Sequence, residues 1–283
     1  MLLSFVIPTM NLKCMVTIVN DLKVLDYRDD IELIIVNQSQ ISWEKTFGNE
    51  LKILCKEIKP KTIMSASKAR NLGASYASGK YLFFLDDDAF FWGLTNETFI
   101  LLTRFLQKGV DCVVVQRGEL IQGEYVSHWP NVNRQPKLSV LNYSRYIIEW
   151  NVIIDNLLFY KFGGFRDIGP GSKHMAQCGE ALILGFQIIE NNHAILYPSI
   201  KVCHPSLTNI TLQKEKKYQY GISFAYGVII DEVKKMSKVV WFSRFSIYLI
   251  KILFTKPVFI KYMLLGFADS IFKGEPRVES DSK

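Results

Sequence analysis

The chain reads as an α/β protein, a mostly parallel sheet with helices on both faces, and three observations carry that reading. Ser4-Phe5-Val6-Ile7, Ile31-Glu32-Leu33-Ile34-Ile35-Val36 and Tyr81-Leu82-Phe83-Phe84-Leu85 are short apolar runs, continuous rather than alternating, as in strands buried on both faces. Between the first two, Leu12, Met15, Val16, Val19 and Leu22 recur at three- and four-residue spacings, the period of an amphipathic helix. Each run ends on proline or polar residues: Pro8-Thr9, Asn37-Gln38-Ser39 and Asp86-Asp87-Asp88. Alternating strands and helices predict parallel crossovers, which bring those polar ends to one crevice.

The elements follow in order. The first strand stops at Pro8, and the second at the Asn37 turn. Residues 65–79 read as a short helix with Ser65 as its cap, small residues for close packing and Gly79 as its stop. Lys68 and Arg70 lie near its start, where cations reach a diphosphate or else stand as exposed helix charges. The third strand then stops on three consecutive carboxylates. Asp86 and Asp88, two apart on an extended chain, project to one side at the sheet edge where open α/β folds bind ligands. Clustered anions repel unless a cation sits among them, and a hard divalent ion carrying a phosphate meets that need. A solvated acidic turn is the plainer alternative, but Phe90, Phe91 and Trp92 follow at once where such a turn continues polar.

In these ordered pieces the chain resembles the family 2 glycosyltransferases of GT-A fold, especially bacterial enzymes that build surface polysaccharides. The resemblance rests on Phe5-Val6-Ile7-Pro8-Thr9, Ala69-Arg70-Asn71-Leu72-Gly73, Leu85-Asp86-Asp87-Asp88, Gly163-Gly164-Phe165-Arg166-Asp167, Gly179-Glu180 and the segment from Tyr197 through His204 and Pro205. It implies a Rossmann-like GT-A sheet and a metal-dependent, inverting transfer of a sugar from a nucleotide-diphosphate donor to a glycan or lipid-linked acceptor. Donor contacts are implied for Pro8, Thr9, Asn37, Gln38, Ser39, Lys68, Arg70, Asp86 and Asp87. It further implies that Asp88 binds Mn²⁺ or Mg²⁺, with Asp86 beside it and His204 completing the shell; imidazole suits Mn²⁺ better. Glu180, at a helix start, is implied as the general base, and a helix N-terminus favours the ionised carboxylate a base requires. Two departures stand out. Asn37-Gln38-Ser39-Gln40 replaces the family's Asp-Asp-Gly-Ser, and Ala181 follows Glu180 where many members carry Glu-Asp.

Composition bounds the rest. The 283 residues, 49% apolar, suffice for one α/β domain and an appendage. The expected division is 1–230 as the transferase domain, 231–273 as amphipathic helices and 274–283 as a disordered polar tail. Five scattered cysteines without a Cys-x-x-Cys pair argue against a disulfide framework or zinc site. No charged leader precedes the first strand, so a cytoplasmic protein is expected. Residues 234–273 hold eight Lys or Arg against Asp269 alone, whereas the rest of the chain balances 26 against 26. The same segment carries nine aromatics, among them Phe242, Phe254, Phe259 and Phe267. Basic and aromatic residues together point to an anionic membrane surface, on the inner face of the cell membrane, rather than to nucleic acid. The competing arrangement packs the apolar face of the helices on the domain. A span is not expected, because the longest stretch free of Asp, Glu, Lys and Arg is 13 residues, 218–230, against roughly 20 needed. Two other functions share some of these features: a nucleotidyltransferase, which the glycine-free Pro8-Thr9-Met10-Asn11 disfavours, and a non-catalytic scaffold of the same fold.

Overall fold

The computed structural model describes residues 1–129, 136–139, 142–173, 179–191, 194–205 and 257–273, and single residues or short groups between 214 and 254. The sequence expectations for most of 206–256 and for the tail 274–283 lie outside them.

The chain opens with β1 (Leu3–Thr9), a 3₁₀ turn and α1 (Val16–Leu22), then β2 (Ile31–Asn37). A single helical turn, α2 (Trp43–Thr46), leads to β3 (Leu54–Ile58), and α3 (Ala66–Tyr76) leads to β4 (Tyr81–Phe84). These four strands are parallel in the order β3-β2-β1-β4. After β4 come β5 (Phe90–Phe91), α4 (Asn96–Leu106), the hairpin β6 (Cys112–Ile121) and β7 (Glu124–Ser127), β8 (Val152–Asp155) and α5 (Asn156–Lys161). Then α6 (Glu180–Asn191), β9 (Ala194–Cys203) and α7 (Ile260–Lys273) follow. The sheet continues from β4 through β8, β6 and β9 to β5, with β8 antiparallel to both neighbours and β9 parallel to β6.

The chain winds outward from β1 to β3, then returns to place β4 on the other side of β1. That reversal leaves a crevice at the carboxyl ends of β1 and β4, the place where open α/β sheets take ligands. Apolar clusters fill both faces of the sheet. One holds Phe5, Phe83, Phe91 and Phe99; the other holds Val6, Phe84, Phe159 and Phe165.

Close approach of backbone sets the register of these layers. A Cβ on Gly73 would lie 2.5 Å from Val6 Cγ1, so α3 sits against β1 only because that position is glycine. Gly79 does not stop the helix, which ends at Tyr76 with Ala77 already extended. Its role is proximity to β1: a Cβ there would lie 2.7 Å from the Ser4 nitrogen. The Gly79 N–H donates to Ser4 Oγ, and Ser4 Oγ donates to the fully buried Glu32. Ser78 donates to Glu32 through both N–H and hydroxyl, and Lys56 Nζ lies 2.8 Å away. Burial alone would raise the Glu32 pKa, but these partners outweigh it and bring it down to about 2.

Two sequence expectations shift. In α1 the buried residues are Ile18, Val19 and Leu22, and Val16 is exposed, because the preceding 3₁₀ turn advances the phase of the helix. At the C-terminus, the described apolar residues divide between core and surface. Ile252 and Met263 are buried in the second apolar cluster, whereas Phe254, Leu253, Val258 and Leu265 are exposed and Leu253, Pro257, Ile260 and Leu265 line an open apolar groove. No helix among the described residues is long and apolar enough to cross a membrane.

Candidate active site at the carboxyl ends of β1, β4 and β9

β1 and β2 end in register at Thr9 and Asn37, β4 runs out into Asp86-Asp87-Asp88, and β9 delivers His204. The two-residue β5 pairs with β9, Phe90 opposite Cys203, which returns the acidic loop against the end of that strand. His204 Nε2 consequently lies 3.0 Å from Asp88 Oδ1 and 3.6 Å from Asp86 Oδ2. Candidate ligand atoms of Asp86, Asp88 and His204 all fall within 4.8 Å of one another. Two carboxylates and one imidazole form a donor set suited to Mn²⁺ and, with fewer nitrogen contacts, to Mg²⁺.

The charges around this triad are strongly organised. Burial disfavours the His204 imidazolium, but its hydrogen bond to Asp88 and the charges of Asp86 and Asp88 raise its pKa to about 9. The same hydrogen bond lowers Asp88. Burial raises Asp87, against the hydroxyl of Thr9, which donates to Asp87 Oδ2 at 2.7 Å. The Trp150 indole stacks on His204 with centroids 5.4 Å apart and planes 20° from parallel.

Arg70 is buried within α3, and its guanidinium links two acids from distant parts of the chain. Nη2 donates to Asp86 Oδ1 at 2.6 Å, and Nη1 donates to Glu180 Oε1 at 3.1 Å. Burial works against its charge, but Asp86, Glu149 and Glu180 outweigh it and hold the cation firmly. Phe165 lies beneath the guanidinium, 5.6 Å from its centre. Arg70 is therefore a fixed component of the site, while the exposed Lys68 pairs with Asp167 at 2.8 Å. Ser65 caps α3 as the sequence indicates and also donates to Asp167.

Glu180 occupies the first turn of α6, and its side chain is only 2% exposed. Burial first, then the charge of Glu149, push its pKa up to about 7, while Arg70 and its own backbone hydrogen bond at the helix start act in the opposite direction. Gly169 lies directly over the carboxylate, so that a Cβ there would come within 2.6 Å of Glu180 Oε2.

The structure brings Thr9, Arg70, Asp86, Asp87, Asp88, Glu180 and His204 into one connected group. The β2 turn is held by its own bonds: Asn37 donates to Ile41 O and Glu57 Oε1 and accepts from the N–H and hydroxyl of Ser39. All the hydrogen-bonding capacity of the Asn37 amide is thus used within the protein. Gln38 Oε1 accepts from Met64 N–H, and Pro8 is half-buried beside the turn. Sequence reasoning missed Glu149, Trp150 and Asp167. Asp167 lies within the quoted Gly-Gly-Phe-Arg-Asp run, whereas Glu149 and Trp150 carry no motif.

The sequence profile of the family described as Glycosyl transferase family 2 matches residues 4–168. No curated protein sequence matches the chain. Among solved structures, S. aureus TarS superposes with a TM-score of 0.62 at 14% identity, over 91% of this chain and 45% of that one, so the chain spans less than half of TarS. TarS 1–349 in complex with UDP-GlcNAc gives 0.61 at 15% identity, over 93% and 79%. The mannosyltransferase PcManGT from Pyrobaculum calidifontis, in complex with GDP-Man and Mn²⁺, gives 0.55 at 11% identity, over 96% and 87%. At these identities the likeness establishes the shared α/β fold. The family match covers more than half of the chain, and we conclude that this protein belongs to glycosyl transferase family 2.

Proposed function

We propose that the enzyme transfers a sugar, with inversion, from a nucleotide diphosphate to a glycan or lipid-linked acceptor in bacterial surface polysaccharide synthesis, and that it uses Mn²⁺ or Mg²⁺. The observation that carries this reading is the convergence of Asp86, Asp88 and His204 at the crevice between β1 and β4, with the buried Arg70 joined to Asp86. Asp86, Asp88 and His204 would hold the metal. When bound, a divalent cation supplies Lewis-acid stabilisation to the charge that develops on a departing diphosphate. Pro8, Thr9 and the Asn37 to Ser39 turn border the nucleotide end; Arg70 fixes Asp86, and Asp87 is tied to Thr9. The complexes of the structural neighbours with UDP-GlcNAc, and with GDP-Man and Mn²⁺, support a nucleotide-sugar donor.

The exposed apolar residues of the C-terminal segment and its excess of cations support docking on an anionic membrane surface, placing the enzyme on the inner face of the cell membrane. A thermal-shift screen of nucleotide sugars with and without Mn²⁺ tests the donor and metal together. A metal-dependent rise with one nucleotide sugar, lost in Asp88→Asn, is expected. Stabilisation that is indifferent to metal and unchanged in Asp88→Asn would refute the metal assignment.

A further inference from the structure

Beyond the acidic crevice, the strands β5, β9, β6 and β7 hold a second group of side chains in fixed relation. Trp92 follows β5, and its N–H donates to Lys201 O at 2.9 Å, so the pairing of β5 with β9 sets its level. On β9, Lys201 stands opposite Gln116 of β6, and Cys203 opposite Gly118. Gly118 also faces Ser127 of β7. A Cβ on Gly118 would lie 2.7 Å from Cε2 and Cζ of Tyr125, so the phenol ring of Tyr125 rests on β6 in the space that a side chain would take. That ring runs nearly parallel to the Trp92 indole, with centroids 6.5 Å apart and planes 21° from parallel. Lys201 Nζ lies 5.3 Å from the Tyr125 centroid.

Strand register, rather than enclosure, thus fixes two aromatic rings in one orientation with an ammonium beside them. Trp92 is 37% exposed, which leaves the outer part of this surface open. The chemistry that such a surface recognises is that of a pyranose. C–H bonds on the flat face of a sugar ring meet the negative face of an indole, and the ring hydroxyls accept from an ammonium. A hydrocarbon chain would gain nothing from the cation. The platform also adjoins the candidate active site: Lys201 precedes His204 by three residues, roughly 10 Å of extended chain. Two or three linked sugars span that separation.

We propose that Trp92, Tyr125 and Lys201 form a subsite for a pyranose unit of the acceptor glycan, apart from the unit that reacts. That the glycan is the acceptor rests on the glycosyl-transfer reading above, whereas binding of a pyranose rests on the geometry of the platform. Trp92 supplies the stacking face, Tyr125 backs it, and Lys201 donates to the ring substituents. The subsite favours acceptors of several sugars over a single one.

The test titrates the full chain, without nucleotide or metal, with cellotetraose and with chitotetraose, whose equatorial substituents leave C–H bonds on both ring faces. Sorbitol, which has no ring, is the control. Saturable binding of at least one oligosaccharide by calorimetry is expected, together with a shift of the Trp92 indole N–H resonance, identified by its loss in Trp92→Phe. Trp92→Ala should weaken binding about tenfold or more and melt as the wild type does, and Trp92→Phe should recover part of the affinity. Lys201→Met, which keeps the aliphatic stem, should weaken it roughly threefold. Absence of saturable binding by the wild type, binding matched by sorbitol, or undiminished binding in Trp92→Ala would overturn the proposal. So would vesicle binding that falls in Trp92→Ala while neither oligosaccharide binds, since the indole would then serve a lipid surface. Failure of the transfer reading shows separately, as the absence of metal-dependent stabilisation by any nucleotide sugar.

Discussion

Arg70 shows how much of the site depends on one side chain. It pairs with the buried Glu180 and the half-buried Asp86, so Arg70→Met should leave Glu180 uncompensated and cost about 3–5 kcal/mol of stability, measured by denaturant titration. Arg70→Lys should recover only part, because an ammonium lacks the planar fork that spans two acids. Glu32 behaves differently, since its pKa is depressed in the folded state. Its stabilisation is present above the ordinary carboxylate range, near 4.3, and is lost as pH falls toward about 2. Glu32→Gln should therefore be less stable than wild type at pH 6 by roughly 1–3 kcal/mol and nearly equal to it at pH 2, allowing for the partly exposed Lys56 partner. Unfolding midpoints at the two pH values decide the matter. Asp86, Asp88 and His204 were legible in the sequence because strand ends and a carboxylate cluster are local signals. The partners of Arg70 were not, since a charge in a helix reveals nothing of the acids that fold against it from 16 and 110 residues away.

At the scale of elements, glycine placement decides how the layers meet. Gly79→Ala should destabilise the fold by about 1–3 kcal/mol, because the new methyl meets the backbone nitrogen of Ser4, which cannot yield without moving β1. Gly73→Val should push α3 off β1 and carry Arg70 with it, so its effect should include weaker nucleotide binding as well as a lower melting temperature. A Gly73→Val variant that melts normally and binds nucleotide like the wild type would contradict that coupling. The strands β1, β2 and β4 were legible as continuous apolar runs. β3 was not: it lies at the sheet edge, Leu54 is 49% exposed, and its residues alternate too weakly to register as a buried strand. Gly79 was legible as a break but not as a contact, because the sequence shows where a helix can end and not which strand passes beside it.

Across the whole molecule, the C-terminal segment faces two ways. Deleting it would also remove Ile252 and Met263 from the apolar core, so truncation should lower stability whatever it does to membrane binding. Substituting Phe254 and Leu265 by aspartate avoids this, since both are exposed. The intact chain should bind vesicles rich in anionic lipid and release them as salt rises, and the double variant should bind less with an unchanged melting temperature. Equal sedimentation of both proteins with vesicles would remove those side chains from the contact. The charge excess was legible by counting, whereas the division of the apolar residues between core and surface required the fold. The short strand β5 has a further implication, for the order in which the molecule assembles. Its sheet pairing among the described residues is with β9, which enters between β6 and β5 more than a hundred residues later in the chain. Until that last strand arrives, the acidic loop has no hydrogen-bonded ladder on its far side and lacks the imidazole that faces it. A nascent chain that has completed β1 to β4 carries the acids but not the cage. If the proposed metal binds, its capture should therefore await the arrival of β9 and the closure of the sheet.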